Sequence, residues 1–180
     1  NGISTVNGHS YAEKTTNNTN FALLVSEKFT EPFKEPIQYG QHIARLANML
    51  GGGILVQRFG DLLDGRRSTP ERIKSSIIKP TLTCATPGDL SLVIPYRQMT
   101  SIIEMLQALD KVCPGTASRY TLLYGIEVKF YSARVKLTDK LETEGVKNLF
   151  AIGDGAGVTR GLIQASASGV HVARTICARG

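Results

Sequence analysis

Leu149-Phe150-Ala151-Ile152-Gly153-Asp154-Gly155-Ala156-Gly157, running on through Val158-Thr159-Arg160-Gly161, is the stretch that decides the fold. Its first four residues are apolar without alternation, which predicts a strand covered on both faces. The glycines allow positive φ and a close backbone approach without a Cβ clash. A helix is predicted from about Thr159 to Cys177, with Gln164, Ser168, His171 and Thr175 on one polar stripe. Ala165, Ala167, Gly169 and Ala173 leave little bulk, so this helix can lie close to a sheet. Strand, glycine turn and close-packed helix make half of a nucleotide-binding unit. Free N–H groups and the positive dipole end at such a helix start favour anionic or electron-rich ligand groups. An acid such as Asp154 accepts hydrogen bonds from a polyol; the alternative is that it merely caps the helix. The spacing departs from GxGxxG, and no acid follows at a second strand end about 20 residues on.

Working outward, Glu127, Lys129 and their neighbours belong to a predicted strand over 121–130, with Ile126, Val128 and Phe130 on one face. The apolar parity then shifts to Ala133, Val135 and Leu137, as a bulge near Tyr131-Ser132 would produce. Ile102, Ile103, Leu106, Leu109 and Val112 stripe a helix from Arg97 to Val112, ended by Pro114-Gly115. Thr69-Pro70-Glu71 starts a short helix with a capping hydroxyl, Pro in the first turn and an acid at the positive end. A further helix from Ile37 to Leu50 ends at Gly51-Gly52-Gly53. Phe21 to Val25 and Leu90 to Ile94 read as strands, residues 1–20 and 81–88 as irregular, and 54–67 resists assignment. The expected fold class is α+β: a mixed sheet with packed helices over 1–140, then a terminal strand–turn–helix of dinucleotide-binding type over 141–180.

The 180 residues suffice for one good core, or one domain and part of another. No apolar run approaches the roughly 20 residues a bilayer demands, so no membrane role is expected. The amino end lacks a basic segment followed by an apolar one, and it starts Asn1-Gly2 without Met. A cytoplasmic segment excised from a longer polypeptide is therefore expected. Cys84, Cys113 and Cys177 form no CxxC pair and are expected as buried thiols in a reducing compartment. The histidines at 9, 42 and 171 share no ligand spacing, so no metal site is drawn. Lysine and arginine exceed the acids by 21 to 15, but the charges are dispersed, with Arg66-Arg67 the one adjacent arginine pair. A nucleic-acid partner is accordingly disfavoured against a solvated basic surface.

The chain from about Asn7 to Arg174 resembles a family of uncharacterised FAD-dependent dehydrogenases, relatives of the larger NAD(P)/FAD oxidoreductases. The resemblance rests on Asn7-Gly8-His9, Asn20 through Val25, Gln57-Arg58-Phe59-Gly60-Asp61-Leu62 and Thr86 through Leu92. It continues in Glu127 through Ser132 and in Gly153 through Gly161, where an apolar run ending in Gly-Asp is similar to the second flavin-contact motif of such proteins. The resemblance implies that Asp154 binds the ribityl chain or a neighbouring phosphate of FAD, and that Gly153, Gly155, Ala156 and Gly157 line its path. It implies that the amides of Thr159, Arg160 and Gly161 face the pyrimidine edge of the isoalloxazine. Families of this kind carry an amino-terminal GxGxxG for the ADP half, and this chain has none. Gly51-Gly52-Gly53 follows a helix and precedes a strand, the reverse order. The isolated chain is therefore expected to bind FAD weakly or not at all, and to need an amino-terminal FAD-binding domain as partner.

On the substrate side the candidates are His9, Arg58 and Arg67. The forked donors of the two arginines suit a carboxylate or phosphate of an unknown small-molecule substrate. Asp61 and Asp89 each follow Gly and read as turn residues, and no Ser-His-Asp or Cys-His arrangement emerges. Two alternatives stand beside the flavoprotein reading. One is a basic module for RNA or a protein partner on a flavoprotein-like scaffold; the other is a docking domain without chemistry.

Overall fold

A computed structural model describes residues 2–9 and 11–179. Two units share the chain, Asn1–Val128 and Lys129–Gly180. The first is built on a central strand, β1 (Leu55–Arg58), whose first three residues are all buried. It pairs in parallel with the two-residue β2 (Thr86–Pro87) and antiparallel with β3 (Leu122–Gly125), giving the order β2-β1-β3. Helix α1 (Pro36–Gly51) precedes β1, α2 (Phe59–Leu63) and α3 (Pro70–Lys74) follow it, and α4 (Tyr96–Asp110) comes before β3. The class is α+β, with a mixed sheet.

Local sequence explains most of these bounds. Pro36 starts α1, and Gly52 ends it in the left-handed region at φ 67° with its N–H on the Asn48 carbonyl. Helix α3 starts as predicted, with the Thr69 hydroxyl accepting from the Arg72 amide at 3.3 Å. Leu55, Phe59, Leu90, Val93, Met99 and Leu106 form the core with Ala47 and Ile126. Gly51 and Gly88 make room for the central leucine: a Cβ on either would lie 2.6 or 2.8 Å from Leu55 Cδ2.

Several expectations are corrected. Phe21–Val25 is no strand; Leu23 alone packs on the core, and Phe21 and Leu24 remain exposed. Leu90–Ile94 is a 3-10 turn over Leu90–Leu92, which buries Leu90 and Val93 but leaves Leu92 in solvent. β3 is shorter than predicted, because past Gly125 the backbone turns to other partners, the Ile126 carbonyl accepting from the Val6 amide at 3.0 Å. The three cysteines are exposed, since none falls on a core-facing position.

The second unit holds a 3-10 turn (Asp154–Ala156) and helix α5 (Leu162–Cys177). Here the predicted strand over 149–152 is replaced by antiparallel bridging of Phe150 to Glu142. The Thr143 amide donates to the Leu149 carbonyl and the Ala151 amide to the Leu141 carbonyl. The predicted strand, covered on both faces, is not formed: residues 149–151 pair with 141–143 of the same unit, and Leu149 and Ile152 are exposed. The parity shift of 133–137 marks no bulged strand, only an isolated bridge from Leu137 to Thr143.

Candidate functional site

The glycine turn is held from inside by α5. Gly153, at φ 73°, donates its amide to Ser168 Oγ at 3.0 Å, and that hydroxyl donates to the Ala165 carbonyl at 2.7 Å. The polar stripe read from the sequence thus faces the chain's own turn at Ser168, and His171 Nε2 lies 3.2 Å from the Asp139 carbonyl oxygen. Ala156 is buried, its amide bonded to the Gly153 carbonyl and its carbonyl to the Val135 amide. Gly157 sits at φ 68°, where a Cβ would come within 3.0 Å of Arg134 Cα. Ala156 and Gly157 therefore serve packing against residues 132–135 (Gly157 by yielding space, Ala156 by filling it).

The outward side belongs to Asp154, Gly155, Thr159, Arg160 and Gly161. Asp154 is exposed, and Oδ1 accepts from the Thr159 hydroxyl at 2.6 Å while Oδ2 has no donor among the described residues. Nothing lies within 4 Å of a Cβ built on Gly155. Helix α5 starts at Leu162, later than the predicted Thr159, because Gly161 is extended and acts as its cap. The free first-turn amides are consequently those that follow Gly161, as at any helix start. The Arg160 amide reaches Gln164 Oε1 at 3.4 Å, and its guanidinium lies 3.9 Å from the Tyr131 ring centroid. An acid with a spare oxygen, an open glycine face and unspent amides suit a polyol-phosphate ligand such as the ribityl portion of FAD. The group fits these residues.

A second polar constellation surrounds the end of β1. Asp61 is 1% exposed, yet both its oxygens are taken: Oδ1 by Arg66 Nε at 3.0 Å and Oδ2 by the Ser68 hydroxyl at 2.8 Å. The Ser68 oxygen in turn accepts from the Arg58 amide at 2.9 Å. Buried Gln57 donates to the Arg66 carbonyl at 2.9 Å and accepts from the Leu90 amide at 2.8 Å. These bonds fold residues 64–68 back onto the sheet. Asp64 receives Arg119 Nη2 at 2.6 Å and Arg66 Nη2 at 3.1 Å. The Arg119 hydrogen bond holds its carboxyl below the usual range, with the charges of Arg119 and Arg66 adding to the effect. Sequence reasoning took Asp61 for a turn residue; the usable signal was an acid followed five to seven residues later by Arg66-Arg67-Ser68.

Of the substrate-side candidates, Arg58 and Arg67 flank this network. Arg58 has its guanidinium carbon 5.2 Å from the Tyr120 ring centroid, and Arg67 is exposed with its carbonyl accepting from Arg72 Nη1 at 2.9 Å. His9 stands apart, exposed, stacked edge-on against Tyr11, with its carbonyl held by Asn20 Nδ2. No contact joins it to either arginine among the described residues. No group of His, Cys, Asp and Glu able to hold a metal occurs among them either, and no helix is long and apolar enough to cross a membrane. Two open depressions lie elsewhere: one of about 530 Å³ beside Glu142 and Arg179, and one of about 480 Å³ between residues 22–26 and α4.

Comparison with known proteins adds two findings. Residues 1–130 match the family model described as FAD-dependent protein, C-terminal domain-like. An uncharacterized protein of Clostridium beijerinckii is 33% identical over 181 residues, covering 94% of this chain. The chain spans 33% of that relative's length.

Proposed function

The chain belongs to the FAD-dependent protein, C-terminal domain-like family, and on that premise we propose that it supplies the substrate-side domain and second flavin contact of a flavin-dependent oxidoreductase. In this reading residues 1–140 form the substrate-side domain and 141–180 the carboxy-terminal segment of the FAD-binding domain. The observation that carries it is the outward side of the Gly153–Gly161 turn, where Asp154 Oδ2 has no donor among the described residues and a Cβ on Gly155 would meet open space. Asp154 would hold the ribityl or phosphate oxygens, and the amides around Gly161 would face the ring. Bound FAD would supply the redox chemistry; Asp154 would orient it, and the positive end of α5 would favour the negative charge of the reduced flavin.

The exposed face of α5 supports a missing partner. Leu162 and Ile163 are 88% and 84% exposed, and Val170 and Ile176 are also in solvent, with alanines between them. So large an exposed apolar face on one helix is of the kind that a partner covers. An amino-terminal dinucleotide-binding domain would cover it and bring the ADP anchor that this chain lacks. The test adds the portion of the Clostridium relative that this chain does not match, with FAD, to the purified chain. A yellow complex that Asp154→Ala weakens supports the proposal. A stoichiometric flavin in the chain alone, or flavin retention unaltered by Asp154→Ala, refutes the assigned roles.

A further inference from the structure

Residues 18–30 run without a turn or a bend, and Phe21-Ala22-Leu23-Leu24-Val25 lies in their midst. Leu23 is anchored on the core, while Phe21, Leu24 and Val25 are exposed. None of the five gives or receives a main-chain hydrogen bond among the described residues. The stretch therefore has the composition and the path of a strand without the pairing of one. An open groove of about 480 Å³ lies between it and α4, where Met105 is exposed.

A bare row of N–H and C=O groups is a template for another chain, and proteins blunt such edges with charges, prolines or bulges. The sheet of this unit is guarded in that way at one margin, where β2 carries Pro87. Phe21–Val25 carries neither a charge nor a proline. Water satisfies its main-chain groups in the isolated chain, and a partner's main chain can replace that water. We propose that Phe21–Val25 is a strand-addition site, which takes an extended segment of the amino-terminal dinucleotide-binding domain assigned above as partner. That choice of occupant rests on the flavin reading. It is supported by the match of residues 1–130 to a C-terminal domain-like family and by a relative of which this chain spans 33%, so that further chain is at hand to supply the segment. Pairing of main chains tolerates differences in sequence, and the groove beside Met105 would receive the alternate apolar side chains of the incoming strand.

The experiment follows hydrogen exchange at the Phe21–Val25 amides of the full chain, alone and mixed with the portion of the Clostridium relative that this chain does not match, with and without FAD. The amides should exchange as open coil in the chain alone and about tenfold more slowly in the complex. Leu24→Pro and Val25→Pro remove donors that point to opposite edges of the strand. Whichever faces the incoming segment should weaken the complex about fivefold, the loss of one main-chain hydrogen bond. Neither amide is used within the chain, so both variants should keep the thermal midpoint of the native chain. Should either fail to fold, the exchange pattern of the unsubstituted chain decides. A yellow complex whose Phe21–Val25 amides exchange as in the chain alone, or whose affinity neither proline variant changes, overturns the site and leaves the flavin reading standing. Protection in a complex that holds no flavin supports the site and sinks the flavin reading. Protection that grows with the concentration of the chain alone assigns the edge to a second copy, and absence of any complex removes the occupant; either result overturns the proposal.

Discussion

Removing the Asp61 carboxylate charge would strip Arg66 of its best acceptor and leave Arg58 largely buried beside a neutral group. Breaking a buried pair by deleting one partner is expensive, because the other charge stays desolvated. Asp61→Asn should therefore cost about 3 kcal/mol, the low end for such pairs because Arg66 is half exposed, and thermal or urea denaturation reads it directly. Unchanged stability would show that residues 64–68 are held by other means. In the second unit Glu142 is hydrogen-bonded by Arg179 and by the Asn148 amide, which lowers its pKa from 4.5 to about 2. A depressed acid contributes stability that is complete above the unfolded value and is lost as pH falls through the folded one. The midpoints of the native chain and Glu142→Gln should differ above pH 4.5 and converge towards pH 2. A constant difference across that range would mean that the ion pair is absent in solution. Neither residue could be placed from sequence, since Ser68, Arg66 and Arg179 become partners only through folding, and Gly60-Asp61 has the look of an ordinary turn.

Helices α1, α3 and α4 were legible because each announces itself twice, by an apolar stripe or a cap and by a Gly or Pro terminator. Short apolar runs carry one signal only. Leu90–Ile94 buries two of its side chains through a 3-10 turn as well as a strand would. The pairing of β2 was hidden because Pro87 lacks the N–H that marks a strand, and a parallel partner needs none from it. Helix α5 was foreseen, yet its sequence does not say that Ser168 and Val172 face its own unit while Leu162, Ile163 and Val170 face out. That outward face gives an element-scale prediction. Concentrated solutions of the chain should associate reversibly through α5, and Ile163→Lys should shift the sedimentation profile towards monomer. Identical profiles for the two proteins would locate association elsewhere or exclude it.

At the scale of the molecule, the α+β class and the family were readable because long segments, 57–62 and 86–92 among them, carry the resemblance through the first unit. The family match ends at residue 130, close to where that unit ends at Val128. The second unit was harder to read, since the apolar run 149–152 read as a strand covered on both faces, whereas residues 149–151 pair only with 141–143. Leu162 and Ile163 then bear on the chain's fate inside a cell. A polypeptide displaying two adjacent bare aliphatic side chains at the head of a helix is the kind of client that chaperones retain and proteases remove. If the proposed flavin-binding partner covers them, the chain's lifetime would be tied to how promptly that partner arrives, and its abundance to the partner's supply more than to its own rate of synthesis.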